Sequence, residues 1–162
     1  MQQKSLNISY QELDSQNELD TDDLNLLKAA TDSLKTAYVP YSHYRVGSAV
    51  LLENGIIITG SNQENMAFPS GLCAERVALF AAASQYPGIA ISAIAITAYS
   101  QDFPVVKPVS PCGSCRQVMI EYEMYQAKPI RLILGSESGA TILIGRVSDL
   151  LPLSFNEEML RK

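Results

Sequence analysis

The three cysteines of this chain fall in two short segments, and their placement limits the folds that the chain can adopt. Cys73 lies in the segment 71–80, and Cys112 and Cys115 lie in the segment 111–117. Each segment is predicted to open a helix, because helix-favouring residues follow the cysteines. If the three thiols act together, the fold must bring the N-termini of two helices to one point.

Length and composition predict one globular domain with a small, weakly charged ligand. The chain has 162 residues, of which 47% are hydrophobic and 18% are charged, so it is long enough to bury a core. Its formal net charge is −5. Because nucleic-acid-binding surfaces need a cationic footprint, this charge argues against a nucleic-acid partner.

The cysteine count and the apolar segments predict a cytoplasmic protein without a membrane partner. An odd number of cysteines with a Cys-x-x-Cys spacing is typical of intracellular metal or redox sites rather than of secreted disulfide scaffolds. The first residues lack the apolar core of a signal peptide. The longest apolar stretch, Ile89–Tyr99, is interrupted by Ser92 and is shorter than the ~20 residues that cross a bilayer.

Hydrophobic periodicity predicts an α/β fold with helices and strands in alternation. Apolar residues from Leu24 to Ala37 recur at three- and four-residue steps, as on one face of a helix, and Asn54-Gly55 is typical of a hairpin turn. The near-continuous apolar run 91–99 is typical of a central strand covered on both faces. The predicted helices are 21–38, 73–85 and 112–125, and the predicted strands are 46–52, 56–59, 91–99, 130–134 and 141–145.

The order of these elements predicts a three-layer α/β/α sandwich with a mixed five-stranded sheet. Strand–helix–strand units imply parallel crossovers, whereas the short turns at 53–55 and 135–139 join antiparallel strands. Residues 1–20 are polar and acidic, and we interpret them as a loosely attached N-terminal arm, either a solvated tail or one with a short β segment at 6–10. Residues 21–162 are predicted to form a single domain that ends in a tail from residue 153.

Three thiolates would fill three corners of a tetrahedral zinc site and leave the fourth open. Structural zinc sites use four protein ligands, whereas catalytic sites use three and a water. Cys112 and Cys115 are one helical turn apart and can bind one ion, to which Cys73 would add the third ligand. The two helix N-termini would stabilise the thiolates. The sequence therefore predicts one Zn²⁺ per chain, open to a reactant.

Charged neighbours of the thiols are candidates for the chemistry. Three thiolates leave a divalent ion with a net negative charge, which weakens its Lewis acidity, and Arg76 is placed to offset that charge. Arg116 is the second candidate for this role. Glu75 follows Cys73 by two residues and, in the first turn of a helix, can reach the open face of the metal, where its carboxylate can accept a proton.

Two interpretations without catalysis remain open at this point. A lone Cys-x-x-Cys is more often a redox or buried pair than a zinc site, but a redox motif has no use for Cys73 or Glu75. An iron–sulfur cluster or a structural zinc would need a fourth ligand. The single histidine, His43, lies in a predicted turn beside Tyr44, and we expect it to be a surface or packing residue.

Two motifs of the chain match the signature of the zinc nucleobase deaminases. That signature is a His-x-Glu, or Cys-x-Glu, followed by Pro-Cys-x-x-Cys, and this chain has Cys-Ala-Glu at 73–75 and Pro-Cys-Gly-Ser-Cys at 111–115. The chain resembles the cytidine deaminase family in its short, homotetrameric form. The resemblance covers residues 24–155, and its further motifs are the runs 40–44, 46–47, 62–65, 116–117 and 150–152.

The resemblance implies an enzyme with a cytidine deaminase-like fold, whose catalytic domain spans residues 21–162. It would hydrolyse cytidine and deoxycytidine to uridine and deoxyuridine, with release of ammonia. Cys73, Cys112 and Cys115 would hold the zinc. Glu75 would carry protons to the ring N3 and then to the leaving amino group.

The resemblance also implies substrate contacts. Asn62 and Glu64 would hydrogen-bond the ribose 3′-hydroxyl, and the backbone around Ala74 would help to hold the base. Tyr44 stands where the family usually has a Phe against the pyrimidine ring. Phe155 matches an aromatic residue that a neighbouring subunit contributes, so the active sites would be shared within a homotetramer.

Departures from the family pattern keep alternatives open. Tyr44 adds a hydroxyl beside the ring, Phe68 lacks the hydroxyl of the usual Tyr, and Met66 replaces a small residue next to the ribose motif. A deaminase for another aminopyrimidine nucleoside, such as blasticidin S, is the first alternative. A non-catalytic zinc module is the second, although it would have no use for Glu75. The net charge argues against a polynucleotide editor.

Overall fold

The described part of the chain folds into three α-helices and one sheet, with short 3₁₀ turns between them. This computed structural model describes residues 1–156 and 159–160, so the predicted tail from residue 153 lies partly outside the described residues. The helices are α1 (Thr21–Ser33), α2 (Ala74–Gln85) and α3 (Gly113–Gln126). The strands are β1 (Tyr10–Leu13), β2 (Tyr44–Leu52), β3 (Ile57–Ser61), β4 (Ile91–Ser100), β5 (Arg131–Leu134) and β6 (Thr141–Ile144).

The sheet is mixed and has six strands in the order β1-β6-β5-β4-β2-β3. Strands β4 and β5 are parallel and are joined by α3, whereas the other neighbouring pairs are antiparallel. The prediction that strand 141–145 returns antiparallel to the strand before it is confirmed: Ile133 pairs with Leu143. The long β2–β4 pairing places the hairpin β2–β3 at one edge of the sheet.

The prediction of five strands is wrong, because the N-terminal arm adds a sixth. Tyr10–Leu13 pairs antiparallel with β6 along its whole length. Three of its four residues are exposed, so this edge strand shows no alternation of apolar and polar residues that a sequence pattern can detect. The predicted β segment at 6–10 therefore lies several residues too early. The boundary between an arm and a domain at residue 20 remains a prediction.

Helices cover both faces of the sheet, so the predicted three-layer α/β/α sandwich is confirmed. Leu26, Leu27 and Ala30 of α1 pack on one face, against small residues of the central strands such as Ala49 and Ala95. Helices α2 and α3 pack on the opposite face, against larger residues. These larger residues include Val50, Leu52, Ile94, Ile96, Leu132 and Leu134.

Two glycines allow helices to approach the hairpin β2–β3 closely, one on each face. A Cβ at Gly47 would lie 2.1 Å from the carbonyl oxygen of Ala30 in α1. A Cβ at Gly60 would lie 2.6 Å from the carbonyl oxygen of Ala74 and 2.5 Å from the amide nitrogen of Ala78, in the first turns of α2. Gly60 therefore sets the depth at which the N-terminus of α2 sits on the sheet.

The helices begin within one residue of their predicted positions. Asp20 is the N-cap of α1, because its side chain accepts the amide of Asp23 at 2.8 Å. The predicted start of α3 at residue 112 is one residue early, because Cys112 has extended dihedral angles and forms the N-cap. The helical pattern also ends before residue 38, since residues 34–36 tighten into a 3₁₀ turn.

Candidate metal centre and substrate cleft

Two of the three cysteines are N-cap residues of helices. Cys73 precedes α2 with φ −70° and ψ 153°, and Cys112 precedes α3 with φ −67° and ψ 165°. Neither side chain makes a capping hydrogen bond, so both sulfur atoms are free to point away from their own helices. Cys115 lies in the first turn of α3 and is fully buried.

The three sulfur atoms form one compact group. The Sγ atom of Cys112 lies 3.9 Å from that of Cys73 and 3.5 Å from that of Cys115, and all three lie within 4.8 Å of one another. Sulfur atoms bound at ~2.3 Å around one tetrahedral zinc lie about 3.8 Å apart. The distances and the all-thiol donor set therefore fit a single Zn²⁺ ion.

Hydrogen bonds and charge shift the pKa values of Cys73 and Cys115 in opposite directions. A hydrogen bond with Cys115 lowers the pKa of Cys73 to about 5, and the Arg76 guanidinium acts in the same direction. The Nη2 atom of Arg76 lies 3.9 Å from the Cys73 sulfur. The hydrogen bond with Cys73 and burial raise the pKa of Cys115. One thiolate is thus stabilised by the protein itself, whereas the buried thiol needs a bound cation to ionise.

Glu75 is a buried carboxyl group beside the thiols. It lies in the first turn of α2, is 4% exposed, and lines the same cleft as Cys73 and Cys112. Burial raises the pKa of Glu75, and the negative charge of Cys73 adds to that effect. A carboxyl group with a raised pKa accepts a proton more readily than an exposed one, which suits it to carry protons.

The two arginines near the thiols have different environments. Arg76 contacts the Cys73 sulfur and lines the cleft. Arg116 instead donates from Nε to the carbonyl of Pro111 at 2.8 Å and from Nη1 to the carbonyl of Leu150 at 3.0 Å. Arg116 therefore ties the start of α3 to the C-terminal part of the chain, and it makes no hydrogen bond to a thiol within the described residues.

A cleft of about 610 Å³ opens beside the thiols, a volume in the range of small-molecule sites. One end is formed by the metal-binding residues and Glu75, and the other by polar residues that follow β3. The loop before α3 completes the wall. The lining residues outside the metal centre are Tyr41, Ser42, Val46, Asn62, Gln63, Glu64, Asn65, Phe68, Gly71, Leu72, Val109 and Ser110.

Comparison with known proteins identifies the family. The family model for the cytidine and deoxycytidylate deaminase zinc-binding region matches residues 20–128. The chain is 41% identical over 133 residues to a cytidine deaminase of Halalkalibacterium halodurans, covering 82% of this chain and 93% of that protein. It is 33% identical over 137 residues to a cytidine deaminase of Mycobacterium tuberculosis, covering 82% and 90%. The chain belongs to the cytidine deaminase family.

A solved structure agrees with this assignment. The crystal structure of a cytidine deaminase from Burkholderia pseudomallei superposes with a TM-score of 0.70 at 35% identity, covering 81% of this chain and 97% of that one. The family and the thiol cluster together identify zinc as the cofactor of this cytidine deaminase family member. No helix among the described residues is both long enough and apolar enough to cross a membrane.

Two residues expected at the ribose lie together in the cleft. Asn62 donates from Nδ2 to the carbonyl of Tyr44 at 2.9 Å and accepts the amide of Val46 at Oδ1 at 2.8 Å. Glu64 accepts the amides of Tyr41 and Ser42 at Oε2, at 3.0 and 3.3 Å. Both side chains that line the cleft are therefore held in place by backbone groups.

The hydrogen bonds of Glu64 also favour its charged form. Burial acts to raise the pKa of Glu64, but the hydrogen bonds from the Ser42 side chain and from the amides of Tyr41 and Ser42 outweigh it and lower the pKa. Glu64 is thus a carboxylate at neutral pH. Its oxygen atoms have further lone pairs with which to accept a hydroxyl group of a ligand.

Three of the residues expected to bind substrate do not line the cleft within this chain. Ala74 is fully buried at the start of α2, and Phe155 is 58% exposed, its carbonyl accepting the side chain of Gln117 at 2.8 Å. The ring of Tyr44 stacks on Phe103, with centroids 6.1 Å apart and an angle of 30° between the planes. Their roles toward a substrate therefore remain predictions.

Sequence reasoning missed two kinds of site residue. The amides of Tyr41 and Ser42 hold Glu64, but backbone groups leave no trace in the residue types. Val109 and Ser110 form a cleft wall in the loop before α3. Their position directly before Pro111 and Cys112 was the available signal, because residues next to a metal ligand in sequence lie near the metal.

Proposed function

We propose that the chain catalyses the zinc-dependent hydrolytic deamination of cytidine and deoxycytidine to uridine and deoxyuridine, with release of ammonia. The observation that carries the proposal is the meeting of Glu75 with the three thiols at one end of a nucleoside-sized cleft. A non-catalytic zinc module would not need a carboxyl group buried there. The family relatives named above are cytidine deaminases, which favours cytidine over other aminopyrimidine nucleosides.

Cys73, Cys112 and Cys115 hold the zinc in this proposal, and the metal supplies Lewis acidity that makes water a nucleophile at neutral pH. Arg76 has the task of offsetting negative charge. Its guanidinium lies against the Cys73 sulfur, so it draws electron density from the thiolate and limits the loss of Lewis acidity. Arg116 supports the site indirectly by fixing the backbone around Pro111.

Glu75 transfers the protons. Water adds to C4 of the base, Glu75 takes a proton from that water, and the same proton passes to the ring N3. The proton of the hydroxyl now on C4 then moves through Glu75 to the exocyclic amino group, the C4–N bond breaks as the C4 carbonyl forms, and ammonia leaves. The raised pKa of Glu75 brings its proton affinity closer to that of the groups with which it exchanges protons.

Asn62 and Glu64 bind the ribose in this proposal. A carboxylate held by two backbone amides is already oriented, so it accepts a 3′-hydroxyl without a further loss of side-chain entropy. Such a site also selects against ligands that lack the hydroxyl, because they cannot make the hydrogen bond to the carboxylate. Tyr44 and the backbone at Ala74 complete the contacts to the base.

We also propose that the chain acts as a cytoplasmic homotetramer with active sites shared between subunits. Phe68 beside the cleft is 78% exposed, and Phe80 on α2 is 44% exposed. Phe155 and Leu153 in the C-terminal segment are 58% and 92% exposed. Large apolar side chains of this kind are suited to burial between subunits, and sedimentation of the purified protein tests the assembly.

Metal analysis and an ultraviolet assay test the function. We expect about one zinc per chain, and a loss of absorbance with cytidine and deoxycytidine but not with blasticidin S. The Glu75→Gln variant should keep the zinc and the fold while kcat falls by about 10²–10⁴-fold, because the proton carrier is lost. Near-native turnover in that variant would contradict the role of Glu75, and an inactive wild type with zinc bound would favour the zinc module.

A further inference from the structure

One wall of the cleft belongs to a loop that has no regular secondary structure of its own. Residues 101–112, which we call the wall loop, connect β4 to α3. Val109, Ser110 and Cys112 of this loop line the cleft. A ligand in the cleft therefore meets a wall whose position must be set by contacts from elsewhere in the chain.

Glu137 makes a two-way contact with the wall loop. Its carboxylate accepts the amide of Val105 at 2.8 Å, and its own amide donates to the carbonyl of Val105 at 3.0 Å. Val105 is 7% exposed although most of the wall loop is open to solvent. An amide that is removed from water needs a partner, and Glu137 supplies it.

The turn that carries Glu137 gives the loop two more contacts. This turn, residues 135–140, joins β5 to β6. Ser138 donates from its hydroxyl to the carbonyl of Val106 at 2.8 Å, and Val109 donates its amide to the carbonyl of Gly135 at 3.4 Å. The contacts run in chain order along the loop and end at Val109, a residue of the cleft wall.

The turn itself is firmly attached to the core. The amide of Gly135 donates to the carbonyl of Ile96 in β4 at 2.8 Å. A Cβ at Gly135 would lie 2.7 Å from a methyl carbon of Leu27, so the backbone there lies directly against α1. The turn is thus a fixed reference against which the wall loop is held.

Near its start, the wall loop also contacts strand β2. The ring of Phe103 stacks on Tyr44, and the carbonyl of Tyr44 accepts the side chain of Asn62 in the cleft. Burial raises the pKa of Tyr44, and the negative charge of Glu137 adds to that effect. The wall loop thus contacts the residue expected to face the base through Phe103, while Glu137 holds the same loop at Val105.

We propose that Glu137 is a positioning residue for nucleoside binding, acting through the amide of Val105 to set the place of Val109 and Ser110 in the cleft wall. The inference rests on the proposed deaminase function, to which it adds a determinant of substrate affinity. The reacting part of the substrate is handled by zinc and Glu75, whose positions do not depend on the Glu137 contact. Loss of the Glu137 contact should therefore weaken binding in the ground state and the transition state alike, which raises KM and leaves kcat.

Two substitutions separate the hydrogen bond from the charge. Glu137→Ala removes the acceptor, and we expect KM for cytidine to rise about 3- to 10-fold, as for the loss of one hydrogen bond, with kcat within about twofold. Glu137→Gln keeps an oxygen that can accept the Val105 amide, and should restore KM to within about twofold of wild type. Glu121→Ala, which removes an exposed carboxylate from α3, is the matched control and should leave KM unchanged.

Hydrogen exchange gives a readout that does not depend on turnover. The Val105 amide should exchange faster in Glu137→Ala than in wild type and in Glu137→Gln, with zinc content equal in all three. The proposal is overturned if Glu137→Gln behaves as Glu137→Ala, if Glu137→Ala leaves KM and exchange unchanged, or if KM rises only together with loss of zinc. If the wild type does not deaminate cytidine, the proposed function fails by itself, and exchange at Val105 alone decides whether Glu137 holds the loop.

Discussion

The helices on the two faces of the sheet begin in different ways. On one face, α1 begins at Asp20, whose carboxylate accepts the amide of Asp23 at 2.8 Å. On the other face, α2 and α3 begin at Cys73 and Cys112, which have the extended backbone of an N-cap but make no side-chain cap. The backbone geometry is the same at all three ends, and only the use of the side chain differs.

This difference separates a helix end that serves stability from two that serve chemistry. A capping side chain contributes ~1 kcal/mol to helix stability, and α2 and α3 do without it. Their two sulfur atoms instead lie 3.9 Å apart, close to free backbone amides and the positive ends of two helix dipoles. The zinc centre thus lies where two helices lack a stabilising side-chain cap, whereas the capped helix α1 packs on the opposite face.

The sharpest test of this comparison replaces the N-cap cysteine of α3 by a serine, whose hydroxyl can cap the helix. Ser is a good N-cap residue but a poor replacement for a thiolate on zinc. Cys112→Ser should therefore gain a side-chain cap on α3 and lose a zinc ligand. We expect loss of stoichiometric zinc and a fall in cytidine turnover of at least about 10³-fold. Metal analysis and the ultraviolet assay measure both.

The same variant also tests the capping argument. Compared with wild type from which zinc has been removed by a chelator, the zinc-free Cys112→Ser protein should be as stable or up to ~1 kcal/mol more stable in urea unfolding. If it is instead clearly less stable than the zinc-free wild type, the thiol of Cys112 has a structural role without metal, and the division into two kinds of helix end is wrong.

Glu64 extends the comparison, because its one side chain both accepts backbone amides and lines the substrate cleft. Like Asp20 it accepts backbone amides, from Tyr41 and Ser42, yet it also lines the cleft. Glu64→Gln should reduce kcat/KM for cytidine by about 10- to 100-fold, because the amide offers one acceptor atom in place of two. Asp20→Ala is the matched control, since it removes a capping carboxylate far from the cleft and should leave kcat/KM unchanged.

The pH dependence of stability gives the second readout for Glu64. Its folded-state pKa lies below its ordinary value of 4.5. A lowered pKa means that the stabilisation is present above the ordinary value and is lost as the pH falls through the folded-state pKa. Wild type should therefore unfold at a higher temperature than Glu64→Gln at neutral pH, and the difference should shrink as the pH falls below 4.5. A difference that grows toward acid would contradict this account.

Two glycines allow the faces to be compared by the same substitution. Gly60→Ala forces a methyl group against the backbone of α2, and Gly47→Ala forces one against the backbone of α1. Both should destabilise the fold, by about 1–3 kcal/mol, as overpacking does. Only Gly60→Ala should also weaken zinc binding and lower kcat, because Cys73 and Glu75 move with α2. Equal losses of zinc in both variants would show that the two faces are not independent.

What the sequence revealed about the site depended on contiguous motifs. Cys112 and Cys115 are three residues apart, so their spacing alone brings the two thiols together, and Glu75 lies in the first turn of the helix that Cys73 opens. The periodic apolar runs located α1 and the central strands for the same local reason. The need for three ligands around one metal, and then the family resemblance, joined the two segments, which no local pattern does.

What the sequence did not reveal depended on contacts between distant backbone groups. Strand β1 has no buried face, so hydrogen bonds to β6 are its only signature. Glu137 accepts the amide of Val105, which is 32 residues away in the chain, and nothing in its sequence neighbours marks it as different from other surface acids. The contacts expected between Phe155 and a neighbouring subunit also join distant groups, and they remain a prediction.

The smallest expected effect lies at the end of α1 that serves stability alone. Asp20→Ala removes the cap on the Asp23 amide and should cost ~1 kcal/mol in urea unfolding, without a change in zinc content or in KM for cytidine. Asp20→Ser should restore most of that loss, because a hydroxyl caps the same amide. If Asp20→Ala instead changed zinc affinity, the effect would have crossed the sheet from one face to the other. The separation between a face that serves stability and a face that serves chemistry would then not hold.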